Sequence, residues 1–315
     1  MNGLAMVAGL SSKFPFLAKK PKKTWPGGFH SAQGLPSEIS QPALGPSLGW
    51  SGSLELRLAT RNSEIRKAQR LRYKVFFQEG GATPDAAAAL VRRDICRYDK
   101  VCDHLLVIDH AARNRFGASK PRVVGAYRLL RQEVAQQNFG FYSAQEFDIG
   151  PMLARHPNSR FLELGRSCVL AEYRGKKTIE MLWRGIWAYV KHYRVDAMIG
   201  CASLEGADPS RLASELSFIH HFAKASPEWL VRPLAQRFVV MDRLERDAVD
   251  KRRALAALPP LIKGYMRVGA KFGEGAVVDR QFGVTDVFVV MPIAEIEGRY
   301  IEYFGGPDET GRKAS

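Results

Sequence analysis

The chain has 315 residues, 46% hydrophobic and 25% charged, the mix of a soluble globular protein with ample core. No stretch approaches the roughly 18 consecutive apolar residues of a membrane-spanning helix. Four cysteines (Cys96, Cys102, Cys168, Cys201) without a CxxC or HxxxH exclude a disulfide scaffold and a zinc module, and they read as reduced, cytosolic thiols. The net charge of +15, from 47 Lys and Arg against 32 Asp and Glu, gives a surface that attracts nucleic acid, anionic lipid or an acidic protein.

Residues 1–50 hold seven Gly, six Pro and six Ser, with five lysines against the single acid Glu38. Such a stretch buries too little apolar surface to offset its ordering entropy, so it reads as a disordered basic tail. Phe14, Phe16 and Leu17 beside Lys19, Lys20, Lys22 and Lys23 are suited to touching an anionic membrane surface. Leu54–Leu58 alternates as a strand. Ser63 opens a helix to Phe77, with Ile65, Leu71, Val75 and Phe76 on its apolar side. His104–Asp109 and Arg122–Arg131 read as two strands, and Phe161–Leu170 as a third. Lys177–Tyr193 is the clearest helix, because Ile179, Leu182, Trp183, Ile186, Val190 and Tyr193 follow helical spacing. Asp196–Ala202 is again a strand, a helix follows Asp208-Pro209, Pro259–Ala270 reads as helical, and Thr285–Pro292 is a strand. Residues 51–305 therefore form one mixed α/β domain, followed by a flexible tail at 306–315.

The segment Val169–Leu182 carries the first chemical signal. A buried strand runs through Tyr173-Arg174-Gly175-Lys176-Lys177 directly into the long amphipathic helix. Backbone N–H groups at a helix start, with the positive dipole end and flanking cations, make a phosphate site. This segment resembles the cofactor motif of the Gcn5-related N-acetyltransferase superfamily, a strand followed by Arg/Gln-x-x-Gly-x-Gly/Ala and a helix. Arg174-Gly175 is present, but Lys177 and Thr178 stand where later small residues belong. Losing the second glycine disfavours a close-fitting pyrophosphate and favours the single phosphate of a phosphopantetheine arm.

Three upstream pieces extend the resemblance: Arg72-Tyr73-Lys74-Val75-Phe76-Phe77; Tyr98-Asp99 with Cys102-Asp103-His104; and Gly125-Ala126-Tyr127-Arg128 before Phe161–Ser167. In order, they resemble the acyl-homoserine-lactone synthases. The pattern continues through Gly200–Leu204 to about Tyr303, the longer form that is similar to the ornithine acyl-carrier-protein N-acyltransferases, also labelled haemolysin-like, which make lyso-ornithine lipid. The resemblance implies a mostly antiparallel central sheet flanked by helices, with splayed fourth and fifth strands. It also implies an acyl-phosphopantetheine donor on acyl carrier protein, no permanently bound cofactor and no metal. The implied substrate-binding residues are Arg72, Phe76, Asp99, Asp103, Arg128 and Arg166, with Arg174, Gly175, Lys176 and Lys177 at the phosphopantetheine.

The implied reaction is attack of an amino acid's α-amine on a 3-hydroxyacyl thioester. An α-amine titrates well below a side-chain amine, so modest base assistance suffices, and Glu163 is the candidate catalytic base. Arg166 or Arg128 offers a fork for the substrate carboxylate, and Asp99 or Asp103 an acid for the ornithine side-chain ammonium. In a regular strand Glu163 and Arg166 face opposite ways, so both reach one site only through a bulge, expected at Gly165. The alternatives are an autoinducer synthase, disfavoured by the long stretch beyond Leu204, and a non-enzymatic basic membrane-binding protein. No nucleic-acid recognition signature is present. A cytoplasmic protein, with peripheral contact to an anionic inner membrane, follows from this reading.

Several patterns read as decoys. His104 and Asp109 match an H-x4-D signature, but an intervening strand sends the two side chains to opposite faces. Adjacent His220 and His221 read as surface or capping residues, and Cys201 as a buried inert thiol. Asp242–Arg253 reads as a solvated helix face, and Trp183 and Trp187 as core.

Overall fold

The computed structural model of the chain describes residues 44–45, 47–114, 116–296 and 300. The expected tail at 306–315 and most of the expected tail at 1–50 lie outside the described residues. The domain start at residue 51 moves earlier, because Ser47–Ser51 is a strand, β1. It pairs antiparallel with β2 (Leu54–Leu58) across a turn where Gly52 takes φ +63°. The Trp50 ring packs at a tilt against the His110 ring, 4.9 Å between centroids, a contact far away in sequence that local composition cannot announce.

Helix α1 (Asn62–Tyr73) starts under Glu64, whose carboxylate accepts from the Thr60 and Arg61 backbone N–H groups. It widens into a π-helical turn at Lys74–Glu79, a winding that recurs at functional sites. Helix α2 (Ala86–Val91) and a 3-10 turn at Arg97–Lys100 lead to β3 (Asp103–Asp109) and β4 (Arg122–Arg131). A strap follows: α3 (Gln132–Gln137), a 3-10 turn at Tyr142–Gln145, β5 (Phe147–Asp148) and α4 (Gly150–Arg155). Then come β6 (Phe161–Val169), α5 (Lys176–Tyr193) and β7 (Ala197–Glu205). Helix α6 (Ala213–Phe222) begins later than Asp208-Pro209 implied, because the Asp208 carboxylate accepts from the Ser210 N–H and makes a turn there instead. After β8 (Arg232–Pro233), α7 (Lys251–Ala257) and α8 (Pro260–Arg267), a terminal hairpin of β9 (Lys271–Asp279) and β10 (Val284–Pro292) closes the domain.

Eight strands form one sheet in the order β1-β2-β3-β4-β6-β7-β10-β9, while β5 and β8 pair separately. The eight-stranded sheet is antiparallel except between β6 and β7. That parallel pair is laddered only from Phe161 to Glu163 against Ala197 to Ile199. Beyond it the strands run on to Val169 and Glu205 without a shared ladder, so the sheet opens into a fork, as the expected splayed pair requires. Gly200 stands at the fork because any Cβ there would collide with the Leu164 carbonyl oxygen.

Helix α5 covers one face of the sheet. Its Gly185 fits against Leu105 and Leu56, and Thr178 and Leu182 lie over Gly125. The stripe Leu182, Trp183, Ile186, Trp187 and Val190 is buried, each side chain contributing about 1.5–3 kcal/mol. Helix α1 and the strap cover the other face, which carries His104 and Arg128 side by side across β3 and β4. No helix among the described residues is long and apolar enough to cross a membrane.

Candidate active site

Three arginines from three elements converge on the α1 face. Arg72 of α1 meets Asp94 and Asp99, both at 2.7 Å, and also donates to the Asp94 carbonyl. Arg166 of β6 lies 3.1 Å from Asp94, and Arg128 of β4 lies 3.5 Å from Asp99. Gln69 and the Cys96 N–H also donate to Asp99, while His104 Nε2 lies 3.0 Å from the Asp99 carbonyl. All these side chains are buried. Burial alone would raise the Asp99 carboxyl, but the charge and hydrogen bond of Arg72, then Arg128 and His104, hold it well below the usual carboxylate range. Burial, reinforced by the Arg72 charge, pushes His104 down to about 4, so it is neutral at pH 7. Among the described residues, the three guanidinium ions gather around Asp94 and Asp99 in a low-dielectric setting, and Arg128 and Arg166 also line a hollow with Glu163.

The bulge in β6 is present, one residue beyond the expected position. Arg166, not Gly165, adopts the left-handed conformation, at φ +53°. Pairing passes from Arg128↔Gly165 to Ala126↔Cys168, so Arg166 and Ser167 together oppose Tyr127. This extra residue turns Arg166 onto the same face as Glu163. Gly165 lies beside the Arg128 guanidinium, where a Cβ would make an ordinary contact at 3.8 Å. A non-glycine residue at positive φ costs on the order of 1 kcal/mol, here held by the ion pair to Asp94.

Glu163 and Arg166 line one small hollow together with Arg128, Leu130, Tyr142, Leu164, Gly165 and Cys201. It lies at the fork, between a side chain of β6 and one of β7. Glu163 accepts from the Tyr142 and Ser143 backbone N–H groups, each at 2.6 Å, and from the Ser143 hydroxyl. It thus caps the 3-10 turn of the strap, yet Oε2 takes only one of these bonds and keeps acceptor capacity. Burial raises the Glu163 pKa, and the Ser143 and Tyr142 donors with the Arg128 charge offset only part of that rise. Phe76 is fully buried with its ring 5.9 Å from the Arg166 guanidinium, and Phe282 and Tyr142 lie at similar range. Cys201 is half-buried rather than fully buried, and it forms a wall of the hollow; desolvation, then the nearby Glu146, Asp286 and Glu163 charges, push its thiol well up, which disfavours the thiolate.

Two expected assignments change. Asp103 sits on the α5 face, accepting from the Tyr189 hydroxyl at 2.5 Å and 3.9 Å from Arg131, because alternation along β3 separates it from His104. Asp99 stands between Arg72 and Arg128, so its charge is already matched. Neither acid is set to receive a substrate ammonium. Arg174 is anchored to Glu79 at 2.6 Å and to the Val169 carbonyl, which makes it a brace of the strand-to-helix turn. Gly175 is the N-cap of α5 without a side-chain cap bond, and a Cβ there would meet nothing within 4 Å. Lys176 and Lys177 are exposed beside it, Lys176 3.5 Å from Glu180. The loop therefore presents an open helix start with two lysines rather than three cations.

Sequence reasoning missed Asp94, Tyr142 and Ser143. Asp94 stands 22 residues from Arg72 with no local pattern, and a backbone donor such as Tyr142 leaves no trace in residue type. Asp109 accepts from the Tyr173 hydroxyl at 2.7 Å, and Trp183 and Trp187 are core, as expected. The run Asp242–Arg253 is not one helix face: it is irregular with a 3-10 turn at Arg246–Ala248, and α7 starts only at Lys251, where the Asp250 carboxylate accepts from the Arg253 N–H. His220 and His221 gather with Asp242, but His221 Nε2 lies 2.8 Å from the Leu244 carbonyl, which makes it a donor there.

Residues 71–184, from Leu71 in α1 through the first half of α5, match the family model of an acetyltransferase (GNAT) domain. Among solved structures, the N-acyl amino acid synthase from uncultured soil microbes superimposes with a TM-score of 0.44 at 9% identity, over 77% of this chain and 93% of that one. Sheet, fork and matched domain define an acyltransferase of the GNAT class. An L-ornithine N(alpha)-acyltransferase of Agrobacterium fabrum (strain C58) is 54% identical over 273 residues, 87% of this chain and 92% of its own. One from Rhizobium meliloti (strain 1021) is 50% identical over 268 residues, 85% and 89% of the two chains. The chain belongs to the L-ornithine N(alpha)-acyltransferase family.

Proposed function

We propose that the protein transfers a 3-hydroxyacyl chain from the phosphopantetheine arm of acyl carrier protein to the α-amine of L-ornithine, giving lyso-ornithine lipid. The observation that carries this reading is the fork: β6 and β7 part beyond Glu163 and Ile199, and Glu163, Arg128 and Arg166 line the hollow between them. The arm enters along the fork from the start of α5, where Gly175 leaves open space and Lys176 and Lys177 face the phosphate. An acceptor carboxylate is held by the guanidinium forks of Arg128 and Arg166. Glu163 takes the proton that the α-amine loses as nitrogen bonds to the thioester carbon. The carbon–sulfur bond then breaks, and the thiolate takes a proton to leave as pantetheine thiol. A carboxyl raised above its ordinary range by burial is the stronger base for that transfer.

The +15 charge supports an acidic carrier protein as donor, and also contact with an anionic inner membrane that receives the single-chain product. The test is mass spectrometry of products from purified full-length protein, 3-hydroxyacyl carrier protein and a mixture of amino acids that includes ornithine and S-adenosylmethionine. The expected product is one new amide, on ornithine. An acyl-homoserine lactone, or no amide, overturns the reading.

A further inference from the structure

On the same face as the hollow, across β7, three carboxylates gather with more acceptor atoms than partners. Asp279 closes β9, Asp286 lies on β10, and Glu146 reaches in from the strap. One oxygen from each lies within 4.8 Å of the others, and all three residues are at most 2% exposed. Glu146 Oε1 and Oε2, Asp279 Oδ2 and Asp286 Oδ2 are buried without a hydrogen-bond partner. Their other contacts are already made: Asp279 Oδ1 accepts from the Gln281 and Phe282 N–H groups, and Asp286 Oδ1 from the Ser203 hydroxyl. Arg237, 3.3 Å from Glu146, is the one cation in ion-pair contact with the cluster among the described residues. Three acids and one base, sealed from water, are strongly unfavourable unless something positive completes them.

We propose that Glu146, Asp279 and Asp286 seat a primary ammonium group, the side-chain ammonium of the acceptor amino acid. An ammonium offers three N–H donors and no acceptor, and each of the three carboxylates has at least one unpartnered oxygen to receive one of them. A divalent ion suits the cluster less, since calcium takes six to eight oxygens and magnesium a near-octahedral set. Cys201 connects the two places: it lines the hollow with Glu163, and its thiol feels Glu146, Asp286 and Glu163 together. Protons stand in for the cation when none is bound. Burial pushes Glu146 up to about 7, and burial with the Glu146 charge pushes Asp286 well above its ordinary range.

This inference rests on the amino-acid acceptor proposed above and narrows it to acceptors with a second amine. The experiment compares kcat/KM for ornithine and for 2-aminopentanoate, which has a methyl group in place of the aminomethyl end. Wild type, Asp286→Asn and Glu146→Gln are assayed side by side, each checked for folding by thermal melt. Asparagine keeps the acceptor for Ser203 but removes the charge. The expected result is strong wild-type preference for ornithine and a fall of about 10-fold or more in that preference in either folded variant. An undiminished preference in both folded variants overturns the seat and leaves the acyltransferase standing. Wild-type turnover that requires added magnesium or calcium, lost in Asp286→Asn, overturns it in favour of a metal. If wild-type protein makes no ornithine amide, the acyltransferase reading falls, and the seat with it.

Discussion

Asp99→Asn tests the buried arginine network most directly. The substitution keeps shape and removes one negative charge, leaving Arg72, Arg128 and Arg166 to share Asp94. In wild type the Asp99 carboxylate faces Arg72 at 2.7 Å and Arg128 at 3.5 Å, and all three side chains are at most 4% exposed. Breaking such a buried pair on one side costs about 3–5 kcal/mol, since the stranded guanidinium ions cannot return to water. At about 2–4 °C per kcal/mol for a domain of this size, the melting temperature falls by roughly 10 °C. Circular dichroism melts and urea titration from pH 7 to pH 3 measure this, with the urea slope expected to stay constant. The pH response has a fixed sign. Asp99 is held below its unfolded value, so its contribution is complete above about pH 4 and is lost as pH falls through its folded value. The gap between wild type and variant therefore stays open from pH 7 to 5 and narrows only in stronger acid. Salt at 0.5 M leaves the gap nearly intact, because the pairs are buried. A variant melting within 2 °C of wild type at pH 7 refutes the network as described.

Glu163→Gln removes the proposed base while keeping its shape; kcat should fall about 100-fold and the rise of rate with pH should flatten. Turnover unchanged across pH 6–9 removes Glu163 from the chemistry. Gly200→Ala drives a Cβ into the Leu164 carbonyl at the fork, at a cost of about 1–3 kcal/mol and with a clear loss of activity; a melt and rate equal to wild type would show the fork to be looser than described. Glu146, raised to about 7, binds more protons folded than unfolded, so its contribution is full below about pH 4.5 and is lost as pH rises toward 7. Asp286→Asn relieves the cluster, so the melting temperature of the variant relative to wild type should rise between pH 5 and 8, read by differential scanning fluorimetry at constant ionic strength.

Local patterns announced the parts of the fold that are local. Helix α5 is legible because its apolar residues keep one period over its whole length and bury as one stripe. Strand β9 is not, because Gly273 and Gly275 interrupt its pattern. Gly273 is needed where the Val231 carbonyl leaves no room for a Cβ, a contact made by a distant segment. In the site, Arg72, Arg128, Glu163 and Arg166 were found through an ordered resemblance, and the need for a bulge followed from three-residue spacing alone. Its position did not. Glycine was the sensible choice for positive φ, yet Arg166 takes it because ion pairing with Asp94 compensates the backbone strain. Asp94, Glu146, Asp279 and Asp286 come from four separate elements, and nothing in one sequence marks carboxylates that meet only after folding.

The fork divides one face of the sheet into a region that presents arginine forks and a region that presents carboxylates. On the β4 and β6 side, Arg72, Arg128 and Arg166 gather around Asp94 and Asp99, and the forks of Arg128 and Arg166 line the hollow. On the β9 and β10 side, three carboxylates exceed Arg237 by two negative charges when ionised. Between them lie Glu163 and Cys201 at the hollow. A diamino acid has the complementary order of groups, with carboxylate and α-amine at one end and ammonium at the other. Laid across the fork in that direction, it matches both regions at once and leaves the α-amine beside Glu163. The reverse direction sets carboxylate against carboxylate, which a low-dielectric site penalises by several kcal/mol. On this reading, the choice of the α-amine over the side-chain amine is set by the charge pattern of the face as well as by its easier deprotonation. Charge reversal on the acid side should therefore let the side-chain amine compete. Asp286→Lys is expected to yield a measurable share of side-chain amide by tandem mass spectrometry, and α-amide alone from an active variant would break the link between charge pattern and regiochemistry.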